Sequence, residues 1–397
     1  MSNVKMTEIK NIPANKKWDE FFSVSNAEKA RKFHEGIPEY EKTPLACLSD
    51  LADHLGVKGI YVKDESWRFG LNAFKGLGGS YAVGKHIAGM LGKDEISFEE
   101  IASREVRELI KDLTFVTATD GNHGRGIAWT ANKSGVKSVV YMPKGSARER
   151  LENIRALGAV ADITEWNYDD TVRFARQQAE ENDWVFIQDT AWEGYEEIPA
   201  NIMLGYTTLA LEAFEELGEV RPTHVFLQAG VGAMSGAMTG IITSYYGEES
   251  PVITIVEPDR ADCIYKTALA ADGKIHNVEG DLDTMMAGLA CGEPCSIGWE
   301  LIGAHADFAM SVPEAVAARG MRVLGNPIGG DRRVISGESG AVTAGIVYDL
   351  MTDDTLSDFR NMIGLDEDSV VLLISTEGDT DRENYRRVVW DGADSAK

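Results

Sequence analysis

The chain has 397 residues, of which 44% are hydrophobic and 26% charged, which is ordinary for a globular protein long enough to form two lobes. Its 64 acidic and 39 basic residues give a formal charge of -25, which repels phosphate backbones and argues against nucleic-acid binding. The four cysteines are too few for a disulfide scaffold, no run reaches the roughly 18 apolar residues of a membrane span, and the first residues lack an export signal, so we expect a cytoplasmic protein.

Apolar runs typical of strands alternate with longer segments of helical periodicity along most of the chain. Strands are predicted at residues 60–63, 114–117, 138–142, 184–188, 224–228, 252–256 and 370–374. Helices are predicted at residues 73–90, 124–134, 147–157, 169–181, 199–217 and 339–351. Runs rich in Val and Ile without strict alternation indicate parallel strands buried on both faces, with helices as crossovers. The predicted fold class is therefore α/β.

The chain contains no repeat at a short fixed period and no low-complexity linker, so a second lobe must be an insertion. The polar stretch 92–112 and the loop-like stretch 189–194 are the candidate crossing points. We therefore predict a large domain formed by residues 1–90 and 191–397. The remaining residues, 91–190, would form a smaller inserted α/β domain.

Lys75 follows a strand-like segment and precedes Gly76, Gly78 and Gly79, which let a ligand approach the backbone. A lysine becomes an imine-forming nucleophile when its surroundings lower its pKa and hold an aldehyde cofactor against it. Two other segments follow apolar runs and open helices, residues 117–124 and residues 228–236. Together the three segments predict a pyridoxal phosphate site.

The turn Gly230-Val231-Gly232-Ala233-Met234 would expose backbone amides at a helix N-terminus, where the helix dipole favours an anion. A Gly-x-Gly pair alone equally opens a dinucleotide site or a tight packing turn. The third glycine of the dinucleotide spacing is missing and Lys75 is present, which favours a single phosphate group over NAD.

The segments around Lys75 and Gly121-Asn122-His123-Gly124 resemble those of the tryptophan-synthase-β type of pyridoxal phosphate enzymes, also called fold type II. The resemblance spans nearly the whole chain, although Ala73 stands where that family often has serine. It implies a two-lobed fold with parallel-rich sheets flanked by helices, and a homodimer. It also implies that Lys75 forms the internal aldimine, that Asn122 binds the cofactor's 3-hydroxyl, that residues 230–234 hold the phosphate, and that Ser375 or Thr376 meets the pyridine nitrogen.

Within that group the chain resembles the diaminopropionate ammonia-lyase family. The resemblance is carried by the runs 63–66, 68–75, 119–126, 188–195, 286–294, 336–341 and 375–381. Asp120, which stands where serine and threonine dehydratases have a small or neutral residue, and Asp189 separate this family from the dehydratases. The resemblance implies α,β-elimination of 2,3-diaminopropionate to pyruvate and two ammonia molecules, with Asp120 and Asp189 as acid and base groups. Thr119 and Tyr168 are further candidates for contact with the diamino acid.

Several alternatives remain open at this point. A serine or threonine dehydratase would need the same cofactor, and an inactive sensor could keep the fold without needing the Lys75 amine. Asp189 could cap a turn, and His123 is more often a packed, hydrogen-bonded group than a base. Cys291 and Cys295 have a metal-like spacing, but no second cluster completes four ligands, so no metal site is predicted. A bridge between Cys263 and Cys291 cannot be decided from the sequence.

Overall fold

The computed structural model describes residues 3–10, 12–119 and 121–395. The strands of these residues are β1 (Lys5–Glu8), β2 (Leu45–Cys47), β3 (Gly59–Asp64), β4 (Thr114–Ala118), β5 (Lys137–Met142), β6 (Val160–Ile163), β7 (Val185–Phe186), β8 (His224–Gln228), β9 (Val252–Pro258), β10 (Phe308–Val312) and β11 (Val370–Ser375). The predicted α/β class is confirmed. Six predicted strands correspond to β3, β4, β5, β8, β9 and β11, whereas the one expected at 184–188 is only two residues long.

The helices of the same residues are α1 (Lys16–Phe21), α2 (Val24–Glu35), α3 (Ser49–Leu55), α4 (Gly76–Met90), α5 (Phe98–Ala102), α6 (Arg104–Ile110), α7 (Asn122–Ser134), α8 (Arg148–Arg155), α9 (Tyr168–Asn182), α10 (Glu197–Leu217), α11 (Ala233–Tyr246), α12 (Cys263–Ala270), α13 (Ser296–His305), α14 (Glu314–Gly325), α15 (Glu338–Thr352), α16 (Ser357–Ile363) and α17 (Arg382–Val389). The predicted helix at 73–90 begins later, at Gly76, because Ala73 instead forms a β-bridge with Glu377. No helix among the described residues is long and apolar enough to cross a membrane.

Two sheets organise the chain. The larger has the order β1-β10-β9-β8-β11-β3-β2, and its five central strands are parallel, while β1 and β2 pair antiparallel at its two edges. The smaller has the order β6-β5-β4-β7 and is parallel throughout. This smaller sheet lies within residues 91–190, the predicted insertion, but the domain boundaries themselves stay a prediction.

The parallel strands are buried on both faces, as their continuous apolar sequence indicates. Every residue of β4, β8 and β11 is buried. On β8, Leu227 belongs to one apolar core and Phe226 to another, so successive residues pack on opposite sides of the larger sheet. The ends of these strands are therefore held rigidly.

Close helix packing fixes the start of α4. A Cβ built on Gly205 of α10 would lie 2.8 Å from the Gly78 Cα, and one built on Gly126 of α7 would lie 3.1 Å from the Gly76 Cα. Glycine is needed at these positions because any side chain would push the backbones apart. The residue immediately before α4, Lys75, is thereby placed between two neighbouring helices.

A buried group of charges anchors the segment that leads to α4. Arg68 Nη2 lies 2.8 Å from both Glu65 Oε1 and Glu212 Oε2, and Lys63 Nζ lies 3.0 Å from Glu212 Oε2. All four side chains are fully buried. Since an uncompensated charge is costly in the interior, this cluster links the end of β3 to α10 in one arrangement.

Candidate active site

The three segments singled out in the sequence meet at one cavity. It lies where β4, β8 and β11 end, the position at which parallel α/β sheets usually bind ligands. Its lining residues are Phe74, Lys75, Thr119, Asn122, Tyr168, Asp189, Gln228, Ala229, Gly230, Val231, Gly232, Ala233, Met234, Ser235, Gly288, Leu289, Cys291, Ser339, Thr376 and Glu377. Residues that follow strands of both sheets therefore contribute to its walls.

Lys75 stands immediately before α4, and its side chain is 18% exposed. Its Nζ forms an ion pair with Asp189 Oδ2 and lies 5.6 Å from the centre of the Phe74 ring. The amine is thus oriented into the cavity by a buried carboxylate.

The charge state of Asp189 follows from its neighbours. Burial raises the pKa of a carboxyl, yet His123 and Lys75, with the hydrogen bond from the amine, lower the pKa of Asp189 to about 2. Burial lowers the pKa of His123, whose Nε2 lies 2.9 Å from the Ile187 carbonyl oxygen. Since a carbonyl can only accept, Nε2 carries a proton, and Nδ1 lies 3.8 Å from Asp189 Oδ2. Asp189 is therefore an ionised acceptor that faces both Lys75 and His123.

Glu377 is a site residue that the sequence analysis missed. It is buried, and its Oε2 accepts a 2.5 Å hydrogen bond from Asn122 Nδ2, while its Oε1 accepts a 3.3 Å bond from Ser339 N. Thr380 Oγ1 also donates to Oε2, at 3.4 Å. This carboxylate joins the start of α7 to the start of α15 across the cavity. The only hint in the sequence was its place directly after Thr376.

The glycine turn ends at α11 and leaves several donors available. Gly232 has φ +87°, and the first helical bond runs from Gly236 N to Gly232 O. Within the described residues, the N–H groups of residues 233–235 therefore have no helical acceptor, as at any helix N-terminus. A Cβ on Gly230 would lie 3.0 Å from Gly288 O, so the loop must pass close to its neighbour.

The structure separates the two hydroxyl candidates at the end of β11. Thr376 lines the cavity, whereas Ser375 Oγ donates to Ser336 Oγ at 2.8 Å and is absent from the lining. Gln228 Nε2 donates to Ile374 O at 2.9 Å and to Thr376 Oγ1 at 3.0 Å. Because the Ile374 carbonyl can only accept, the end of the Gln228 side-chain amide that faces it must be the nitrogen. The same nitrogen donates to Thr376 Oγ1, so the Thr376 hydroxyl keeps its own proton to donate.

The two candidate substrate residues differ in their roles. Tyr168 lines the cavity, and its hydroxyl donates to Asp189 Oδ1 at 3.3 Å. Thr119 also lines it, but its Oγ1 accepts from the N–H groups of Gly121 and Gly124 at 2.9 and 3.1 Å, which shapes the loop. Asp120 lies outside the described residues.

The sequence left open a disulfide bridge between Cys263 and Cys291, and it predicted no metal site. Cys263 is a thiol, so the bridge to Cys291 that the sequence left open is not formed. Its Sγ lies 3.6 Å from Gly230 O and 3.7 Å from Glu257 Oε1. Among the described residues, no group of three metal-ligating side chains is gathered.

The residues present fit pyridoxal phosphate, on observations of this structure. A primary amine, the unpaired backbone donors at the start of α11, and a hydroxyl with a proton to donate all border one cavity. Helix N-termini with unpaired N–H groups bind phosphate readily. The aldehyde, the phosphate and the pyridine nitrogen of the cofactor thus each have a matching protein group.

Comparisons with known proteins agree with this chemistry. Residues 37–376 match the model of the pyridoxal-phosphate dependent enzyme family. The chain is 52% identical over 366 residues to a diaminopropionate ammonia-lyase of Salmonella typhimurium, covering 91% of each chain. It resembles the crystal structure of holo diaminopropionate ammonia lyase from Escherichia coli, with TM-score 0.92, 48% identity, and coverage of 99% of this chain and 98% of that one. The E. coli enzyme in complex with an aminoacrylate-PLP azomethine reaction intermediate is similar with TM-score 0.91, 47% identity, and coverage of 100% and 99%.

Proposed function

Because the chain belongs to the pyridoxal-phosphate dependent enzyme family, we propose that it catalyses the α,β-elimination of 2,3-diaminopropionate to pyruvate and two molecules of ammonia. The observation that carries this conclusion is the ion pair between Lys75 and the buried Asp189, which borders the same cavity as a phosphate-type glycine turn. The 52% identity to an enzyme named for this activity supports the choice of substrate.

Lys75, Asn122, Thr376 and the turn at residues 230–234 would hold the cofactor. When bound, pyridoxal phosphate supplies an aldehyde carbon and a ring that withdraws electrons from the α-carbon of an attached amino acid. Thr376 offers a neutral hydroxyl donor, with its own acceptor site filled by Gln228. A hydroxyl donor matches an unprotonated pyridine nitrogen, which favours elimination over transamination.

We infer that Asp189 is a proton acceptor, because its buried carboxylate is ionised and contacts the Lys75 amine directly. Lys75 Nζ can then carry protons at the centre of the cavity, while Asp189 holds it in place. The hydroxyl of Tyr168, which donates to the other oxygen of Asp189, would keep the carboxylate oriented.

We infer a division of labour between two carboxylates. Asp120 and Asp189 would serve α-protons of opposite configuration on D- and L-diaminopropionate, with Asp120 proposed from the sequence alone. Asp120→Asn and Asp189→Asn should each reduce activity on one enantiomer far more than on the other. Asp183→Asn, at an exposed helix end, is the matched control. Equal loss on both enantiomers in either variant would show that the division is wrong.

The ratio of the products distinguishes diaminopropionate elimination from the alternative, a serine or threonine dehydratase. Diaminopropionate yields two ammonia molecules for each pyruvate, whereas serine yields one. Purified enzyme should release ammonia and pyruvate in a ratio of about two with diaminopropionate, and should turn over serine much more slowly. Faster turnover of serine would establish the alternative.

We also infer a homodimer from the family resemblance and a cytoplasmic location from the amino-acid sequence. The mass of the purified holoenzyme in sedimentation, compared with the 43.4 kDa of one chain, tests the first.

A further inference from the structure

A buried network of side chains behind the cavity reaches the carboxylate that holds Asn122. Glu377 Oε2 accepts from Asn122 Nδ2 at 2.5 Å and from Thr380 Oγ1 at 3.4 Å. Thr380 Oγ1 lies 3.2 Å from Arg150 Nη2, which also donates to Glu338 Oε1 at 2.9 Å. All five residues are more than nine-tenths buried. Arg150, Thr380 and Glu338 do not line the cofactor cavity, so none of them has a role in the site as described so far.

The direction of each hydrogen bond in this network follows from which atoms can donate. A guanidinium can only donate, so the Thr380 oxygen must accept from Arg150. The hydroxyl then has its own proton to give, and it donates this proton to Glu377 Oε2, because a carboxylate can only accept. Arg150 therefore determines which way the Thr380 hydroxyl points.

The aliphatic part of Arg150 also packs against the loop that carries Asn122. Gly121 immediately precedes α7, and a Cβ built on it would lie 2.9 Å from Arg150 Cδ and 3.4 Å from Arg150 Cβ and Cγ. The same side chain thus contacts the backbone next to Asn122 and, through Thr380, the acceptor of the Asn122 amide. Two independent contacts connect Arg150 to one cofactor-binding residue.

The charges of the network allow Arg150 to be replaced without leaving an unpaired charge in the interior. Burial raises the pKa of Glu338 to about 7, Arg150 opposes this rise, and Glu377 adds to it. Without the cation, Glu338 can take up a proton at neutral pH, which removes the cost of a buried carboxylate. A variant of Arg150 should therefore fold, and its effect on the cofactor can be measured.

We propose that Arg150 is a positioning residue for the cofactor, because it directs the Thr380 hydroxyl to Glu377 and so fixes the orientation in which Asn122 meets the ring. This inference rests on the proposed contact between Asn122 and the 3-hydroxyl of pyridoxal phosphate. Arg150 and Thr380 lie outside the cavity lining and act through Glu377. Their loss changes how the ring is held, while Lys75 and Asp189 stay in place.

Absorbance titration of the apoenzyme with pyridoxal phosphate tests the network. Thr380→Val removes the hydroxyl, keeps the shape of the side chain and leaves the ion pair between Arg150 and Glu338 intact. It should raise the dissociation constant about fivefold and shift the visible absorption band, because Glu377 loses one of the donors that hold it. Arg150→Met keeps a side chain against Gly121 but has no donor, and its effect should be of the same size.

The double variant separates this network from two unrelated structural effects. Thr380→Val combined with Arg150→Met should bind pyridoxal phosphate as Thr380→Val alone does, because Arg150 acts through the hydroxyl that is already missing. Two independent effects would instead multiply, to about 25-fold. Circular dichroism of each variant establishes that the fold is kept before titration.

Two control variants should bind the cofactor as the wild type does. Thr343→Val changes a buried threonine of α15 whose Oγ1, among the described residues, makes no hydrogen bond. Arg155→Met changes an exposed arginine of α8, the helix that carries Arg150. Both controls alter the same kinds of side chain without touching the network.

The proposal is overturned if Thr380→Val and Arg150→Met leave both the dissociation constant and the absorption band unchanged, or if their effects multiply in the double variant. Asn122→Ala in the same titration should weaken binding more than either change. If only Asn122→Ala has an effect, the network is wrong while the cofactor site stands. None of these titrations contains an amino acid, so their results do not depend on the proposed substrate.

Discussion

Replacing Glu377 with glutamine should weaken cofactor binding although the side chain keeps its size. The carboxylate accepts from Asn122 Nδ2 at 2.5 Å and Thr380 Oγ1 at 3.4 Å through one oxygen, and from Ser339 N at 3.3 Å through the other. Glutamine has one carbonyl oxygen, so its amide nitrogen must face either Asn122 or Ser339, both of which donate. The variant therefore loses at least one bond and gains a donor–donor contact.

The size of the effect depends on which contact is lost. A hydrogen bond to a charged group contributes about 1.5–3 kcal/mol, and the bonds from Ser339 N and Thr380 Oγ1, at 3.3 and 3.4 Å, are both long. If the amide of Asn122 is no longer held in place, the dissociation constant of a ligand that requires this orientation rises by roughly 10- to 150-fold. We expect the dissociation constant of pyridoxal phosphate to rise by about the lower of these factors.

Absorbance titration of the apoenzyme with pyridoxal phosphate measures this constant directly. Glu367→Gln, which removes an exposed carboxylate, is the matched control and should behave as the wild type. An unchanged affinity and an unchanged visible band in Glu377→Gln would refute the idea that Glu377 orients Asn122. Loss of folding would be recognised by circular dichroism before titration.

Three further predictions concern the framework. Arg68→Met should cost about 3–5 kcal/mol in urea unfolding because it leaves Glu65 buried without its cation and Glu212 with Lys63 alone, and a loss below 1 kcal/mol would contradict this. Burial raises the pKa of Glu257 well above its usual value, so its contribution to stability is full below the unfolded pKa and lost as pH rises through the folded pKa. Glu257→Gln should therefore gain stability relative to the wild type as pH rises above the unfolded glutamate pKa of about 4.3, and a constant difference would refute the assignment. Gly230→Ala should lower cofactor affinity in the same absorbance titration, because its Cβ would lie 3.0 Å from Gly288 O, and unchanged affinity would show that the turn tolerates the methyl.

Much of the fold could be predicted because its central strands are buried on both faces. The centre of β8 (residues 225–227) and nearly all of β11 (residues 370–374) are continuously apolar, and the predicted starts of both strands agree with the structure. The strands β1, β2, β6 and β10, which have only three to five residues, escaped prediction. Their pairing depends on partners far along the chain, which local periodicity does not register.

The same limit applied to the site. Lys75, Asn122 and the glycine turn stand out because each combines a reactive or special residue with a strand-to-helix junction. Glu377 does not, because its importance comes from a contact with Asn122, 255 residues away. The choice between Ser375 and Thr376 also required the fold, since only the orientation of the two neighbouring hydroxyls distinguishes them.

The short outer strands have a consequence for how the molecule behaves in crowded solution. The larger sheet ends at β1 and β2, with four and three residues, and the smaller ends at β6 and β7, with four and two. A long exposed outer strand is a template on which another chain can add by backbone pairing, the first step of aggregation. Here each outer strand is only a few residues long. The sheets that support the catalytic groups therefore do not expose a long unpaired strand edge to other chains.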